Sequence, residues 1–270
     1  MKPNYAFFAA TMLACALATR ADGGVKAVCS LPPIAALVEE IGGPEVACRS
    51  IVPANADPHS FEPSPKDFAA MDAGSLYFSG GMDFEAVLKE RLEARASGVR
   101  FVSLGGTGHH GWLSPVTLSE WTDAIAAALS DCGADGAGER AAKAKKRFAE
   151  ILEDGKADLE RAGVRAFAAF HPALDAFADA FGIEQIAVEH DGKDPGPRHI
   201  AAARARLVQT NARIMFVQND AERRKAEAFC SGLALEIVEL HPTAPGAVET
   251  IEKALEALCR KGGSDGTAPK

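Results

Sequence analysis

The chain has 270 residues, 47% of them apolar and 24% charged, which suits one large α/β domain or two smaller lobes. Its formal net charge is −8, and a surface of that sign repels phosphate backbones, which excludes nucleic acid as a partner. After the N-terminal segment, no stretch is long and apolar enough to read as a membrane span.

Residues 1–21 read as a secretory signal. Lys2 precedes an apolar run over 6–18 that is too short to cross a bilayer, and Ala16, Ala18 and Ala21 supply small residues for cleavage. Met12-Leu13-Ala14-Cys15 has the outline of a lipoprotein cleavage box, but the apolar segment before it is short. Cleavage after Ala18 or Ala21 is therefore expected over lipid attachment at Cys15, and the mature protein is expected outside the cytoplasm, in a periplasmic setting. Removal of residues 1–21 takes away Lys2, Arg20 and no acid, leaving 27 basic against 37 acidic side chains, a net of −10.

Downstream the pattern alternates between short apolar strands and helices. A strand over 25–30 leads into Pro32-Pro33 and a helix with the stripe Ile34, Leu37, Val38 and Ile41, stopped by Gly42-Gly43. A second strand over 45–52 enters a proline-rich loop, and Ser64-Pro65 opens a short helix to residue 73. Strands over 76–78 and 99–104 flank a helix over 83–96, and a further helix starts at about Ser119. Residues 139–162 form a long helix with only a thin apolar stripe of Phe148, Ile151, Leu152 and Leu159. A helix polar on most sides bridges domains or lies on a surface, so this one is read as a connector. The alternation then restarts, with strands over 164–170, 184–188, 213–218 and 235–240 and helices over 172–181, 197–211, 221–233 and 245–260.

The predicted fold class is therefore α/β, with two lobes, each a parallel sheet flanked by helices, joined by one long connecting helix. The expected division is an N-terminal lobe over 22–134, the connector over 135–163, a C-terminal lobe over 164–262 and a flexible tail over 263–270. Cys29, Cys48, Cys132, Cys230 and Cys259 remain after the leader, with no CxxC spacing to suggest a zinc cluster. Cys230 and Cys259 fall on the last two helices of one lobe and form the favoured bridge in an oxidising compartment. Cys29 and Cys48, on neighbouring strands, could also meet, which leaves Cys132 as a buried free thiol.

Ligands of open α/β sheets bind beyond the carboxyl ends of the strands. His59 follows the second strand of the first lobe, and His109 and His110 follow its fourth. His171 follows the first strand of the second lobe and His241 its last. Two facing lobes would bring His59, one of His109 and His110, His171 and His241 to a single cleft. Three or four neutral imidazoles suit Zn²⁺ first, with copper or nickel next on intrinsic affinity. Calcium and magnesium, which take oxygen ligands, do not fit. Asp57 and Glu62 are placed to orient His59, and Trp112 to pack beneath the site. His199 reads as a surface residue at a helix start, and His190 as solvated.

The run Asp57-Pro58-His59-Ser60-Phe61-Glu62-Pro63-Ser64-Pro65-Lys66-Asp67 resembles the signature loop of the metal-binding proteins of ABC importers, the ZnuA/TroA-like family. His110-Gly111-Trp112-Leu113-Ser114-Pro115 is similar to that family's second ligand motif and selects His110 over His109. Phe170-His171-Pro172-Ala173-Leu174-Asp175-Ala176-Phe177 is similar to its third, and Leu240-His241-Pro242 stands where many members carry Asp-Pro. The resemblance implies a monomeric extracytoplasmic solute-binding protein. It would capture a divalent metal, Zn²⁺ or otherwise Mn²⁺ or another transition metal, through His59, His110, His171 and His241. It would serve an ABC permease and its ATPase and would not be an enzyme. A Cys230–Cys259 disulfide matches some zinc binders of the family. The alternatives are a manganese or iron receptor or adhesin of the same fold, and a zinc hydrolase, for which no HExxH motif is present.

Overall fold

Two four-stranded parallel sheets lie on either side of a single long helix. The computed structural model describes residues 24–54, 56–72, 76–95, 98–105, 110–189 and 195–260. The expected leader and tail, His109 and His190 lie outside the described residues.

The first sheet contains β1 (Val25–Cys29), β2 (Val46–Ser50), β3 (Leu76–Ser79) and β4 (Arg100–Ser103) in the order β2-β1-β3-β4. Its helices are α1 (Pro32–Gly42), α2 (Pro65–Asp72), α3 (Phe84–Ala94) and α4 (Pro115–Asp131). Pro32-Pro33 begin α1, where the missing N–H groups cost nothing, and Ile34, Leu37, Val38 and Ile41 are its buried stripe. Helix α4 starts at Pro115, ahead of the expected Ser119, because Ser114 Oγ accepts the Thr117 N–H at 3.3 Å and Pro115 fits the first turn. Ser114-Pro115 carries this start signal in the sequence.

The second sheet repeats the first arrangement. Strands β5 (Ala166–Ala169), β6 (Glu184–Ala187), β7 (Ile214–Val217) and β8 (Glu236–Glu239) run in the order β6-β5-β7-β8. Around them pack α6 (Asp175–Phe181), α7 (Pro197–Thr210), α8 (Asp220–Cys230) and α9 (Ala247–Cys259). Helix α6 begins three residues later than the pattern predicted. The preceding residues turn instead, with Ala173 N bonded to His171 O and Leu174 N to Gln185 Oε1, each at 2.8 Å.

The connector is α5 (Ala137–Ala162), 26 residues and about 39 Å long. Arg140, near its start, donates to the carbonyls of Ile41 and Gly42 at 2.7 Å and satisfies the end of α1. At Gly155 the helix meets the second lobe closely: a Cβ there would sit 2.6 Å from Phe181 Cε1 and 2.9 Å from Leu255 Cδ1. Opposite ends of α5 are thus tied to different lobes.

One face of the second sheet, with Phe167, Ala169, Ile214 and Phe216, joins the core of the first lobe in a single apolar cluster that includes Phe148 and Leu159 of α5. The other face, with Ala168, Phe170, Met215 and Val217, packs beneath α7 and α8 as a second cluster. This corrects the expected Cys230–Cys259 bridge. Cys230 belongs to the cluster under α8 and Cys259 packs on the opposite one, so the sheet lies between them. All five described cysteines are free thiols, and burial pushes Cys230 up to about 11. Cys132, expected inside, is exposed at the end of α4.

Candidate metal centre

The carboxyl ends of both sheets open on a cavity of about 930 Å³ lined by four histidines and seven carboxylates, with no lysine or arginine among the described lining residues. His59, His110 and His171 converge in it, each offering a nitrogen within 4.8 Å of the others. Zinc holds nitrogens at about 2.0–2.1 Å in a tetrahedron, which sets neighbouring donors roughly 3.3–3.4 Å apart. His59 Nε2 and His110 Nε2 are already 3.4 Å apart. The ring centroids of His171 lie 5.4 Å from those of His59 and 5.7 Å from those of His110.

The local sequence explains each placement. Beyond β2, the Ile51 and Val52 N–H groups still bond to Cys29 O and Ser30 O, at 2.9 and 3.0 Å, which aims the chain toward the cavity. Asp57 Oδ1 then accepts the His59 backbone N–H at 2.9 Å, so this acid folds the loop. No bond from Glu62 to His59 is among the described contacts. Asp67 Oδ2 accepts both the Ser64 N–H, at 2.8 Å, and the Ser64 hydroxyl, at 2.6 Å, across the start of α2, and Phe61 packs edge-on against Phe84 at 5.2 Å, so the loop is fixed at its far end too.

His110 is 6% exposed. It precedes a 3-10 turn over Gly111–Leu113 and stands edge-on to Trp112 at 5.4 Å. Trp112 is fully buried beneath the site, as expected, and its Nε1 donates across the lobes to Pro242 O at 2.7 Å. Thr243 Oγ1 makes a second crossing, to Ala54 O at 2.8 Å.

His171 stands two residues past the end of β5. The backbone ladder between β5 and β6 continues through Glu189 N to Phe170 O at 2.8 Å, which sets the Glu189 carboxylate beside the ring, Oε2 to Nδ1 3.3 Å. That pairing leaves Nε2 of His171 for the cluster. Asp175 stands in the same relation to His110, Oδ1 to Nδ1 3.5 Å. Desolvation would raise the Asp175 pKa, but the His110 ring beside it outweighs this and holds the carboxyl below its ordinary value. Nearby, Glu222 is pushed up by desolvation although it accepts the Gln218 N–H at 2.8 Å. Asp175 and Glu189 were not recognised from sequence.

His241 lines the same cavity but stands outside the cluster. Its side chain is 59% exposed and its Nε2 lies 3.4 Å from Glu239 Oε1. His199 is exposed, with Nε2 3.1 Å from Ala187 O, in line with its reading as a surface residue.

The family described as zinc-uptake complex component A, periplasmic (ZnuA), matches residues 27–259. The high-affinity zinc uptake system protein ZnuA of Paracoccus denitrificans is 23% identical over 86% of this chain and 87% of its own. The manganese-binding lipoprotein MntA of Halalkalibacterium halodurans is 28% identical over 50% of this chain, and the chain spans about half of that relative's length, 49%. A crystal structure of ZnuA superposes with a TM-score of 0.79 and 23% identity, covering 87% of this chain and 98% of that one. The fold is thus that of two-lobed metal-binding proteins. No described helix is long and apolar enough to cross a membrane.

Proposed function

We propose that this chain, which belongs to the periplasmic zinc-uptake component A family, is an exported receptor that captures Zn²⁺ between its lobes and delivers it to an ABC permease driven by an ATPase. The observation that carries this is the convergence of three imidazoles on one point of an acidic cavity that has no cationic side chain among its described lining residues. His59, His110 and His171 are the ligands in this reading. His241 is the fourth donor, and its ring must leave Glu239 to reach the ion. An all-imidazole set ranks Zn²⁺ well above Mn²⁺, and a tetrahedral arrangement favours Zn²⁺ over the intrinsically tighter Cu²⁺. The surrounding carboxylates attract the hydrated cation and fix ring orientation.

The test is a competition titration of the metal-stripped protein with Zn²⁺, Mn²⁺ and Cu²⁺ against a chromogenic chelator. One Zn²⁺ per chain, held at least a hundredfold more tightly than Mn²⁺, is the expected result. A protein that prefers Mn²⁺, or that binds Zn²⁺ unchanged after His59→Ala, would sink the reading.

A further inference from the structure

We propose that Asp175 is a positioning residue for the metal ligand His110, reaching it from the opposite lobe. The inference rests on the receptor reading above and adds a means by which the lobes sense the ion.

His110 stands on the turn after β4 in the first lobe, whereas Asp175 is the first residue of α6 in the second. His110 Nδ1 and Asp175 Oδ1 are both removed from water, and among the described residues neither has a formed hydrogen bond. They face each other at 3.5 Å. A charge-assisted bond between such groups closes at about 2.7–2.9 Å, so the pair is complementary but apart. The ring has little freedom to turn away. Its Nε2 points at His59 Nε2, 3.4 Å distant, and its edge meets Trp112. A buried donor and acceptor left unmade are costly, and the nearest remedy is the other member of the pair.

When Nε2 of His110 takes a cation, the ring proton must sit on Nδ1, and the positive charge makes that N–H a stronger donor. An approach of less than about 1 Å then completes the bond to Asp175. Because the two groups belong to different lobes, metal capture and the tightening of the lobe contact become one event. Glu189 gives His171 equivalent support from within its own lobe, so it carries no such message. Trp112 and Thr243 keep the lobes in register while the gap closes.

The experiment measures Zn²⁺ affinity by chelator competition for Asp175→Ala and Asp175→Asn, each made in the wild-type and in the His110→Ala background. Asp175→Ala is expected to weaken binding by about 10- to 100-fold in the wild-type background and not at all once His110 is gone, with Asp175→Asn between. The Nδ1–H proton resonance of His110 in the zinc-loaded protein should move upfield in the variants. Two results overturn the proposal: wild-type affinity in both Asp175 variants, or the same loss in both backgrounds, which would mark a merely structural role. If Asp175→Ala does not fold, the near-isosteric Asn variant decides by the same criteria. Should the wild-type protein bind no Zn²⁺, the receptor reading falls; if it binds and the Asp175 variants behave like it, only this inference does.

Discussion

The two lobes share a strand order yet contribute unlike parts to the cavity. The first supplies His59 and His110, one on a loop braced by prolines and by the Ser64 bonds to Asp67, the other buried above Trp112. The second supplies His171, the exposed His241 and five of the seven lining carboxylates. One lobe therefore holds imidazoles in place, and the other surrounds them with acceptors that set which nitrogen is free. The contrast is plainest between two histidines at equivalent strand ends, one whose surroundings fix its ring and one whose surroundings do not. His110 and His241 both follow a last strand, and only His110 has neighbours that fix the ring.

Replacing the best-fixed ring should break this contrast most. His110→Ala is expected to cost about 3 kcal/mol of Zn²⁺ binding, a share of the roughly 10–16 kcal/mol typical of four-ligand zinc sites, measured by competition titration. Glu189→Gln keeps the shape but removes the charge that orients His171, and a loss of roughly tenfold in affinity is expected. An unchanged affinity would show that the second lobe's acids act only as a field. His241→Ala should cost about tenfold or less, near 1.4 kcal/mol, because its ring is not held in advance. A loss as large as that of His110→Ala would erase the distinction between the two. Trp112→Phe removes one buried cross-lobe bond and should lower stability by about 1 kcal/mol, read as a shift of the denaturant midpoint at constant slope. An unshifted midpoint would deny that bond any part in holding the lobes.

Most of the architecture was legible because periodicity reports burial. The strand and helix alternation, the connecting helix and the strand-end histidines all follow from where apolar residues stop. What escaped depends on contacts distant in sequence. Glu189 meets His171 because β5 and β6 are in register, and Asp175 meets His110 because the lobes face each other. Neither pairing is written in local spacing. The cysteine bridge failed for a related reason: consecutive helices α8 and α9 lie on opposite faces of one sheet, and chain order does not say which face a helix takes.

The apolar cluster that continues from the first sheet through α5 into the second has a mechanical meaning. With Phe148, Leu159, Phe167 and Phe216 in one continuous interior, neither half could be excised without exposing the other's oily side. Heating should melt the whole molecule in a single calorimetric endotherm, and two separate endotherms would contradict this. Such a body flexes by fractions of a side chain instead of swinging open, so an ion would be let go by small adjustments at the rim while the frame stays whole.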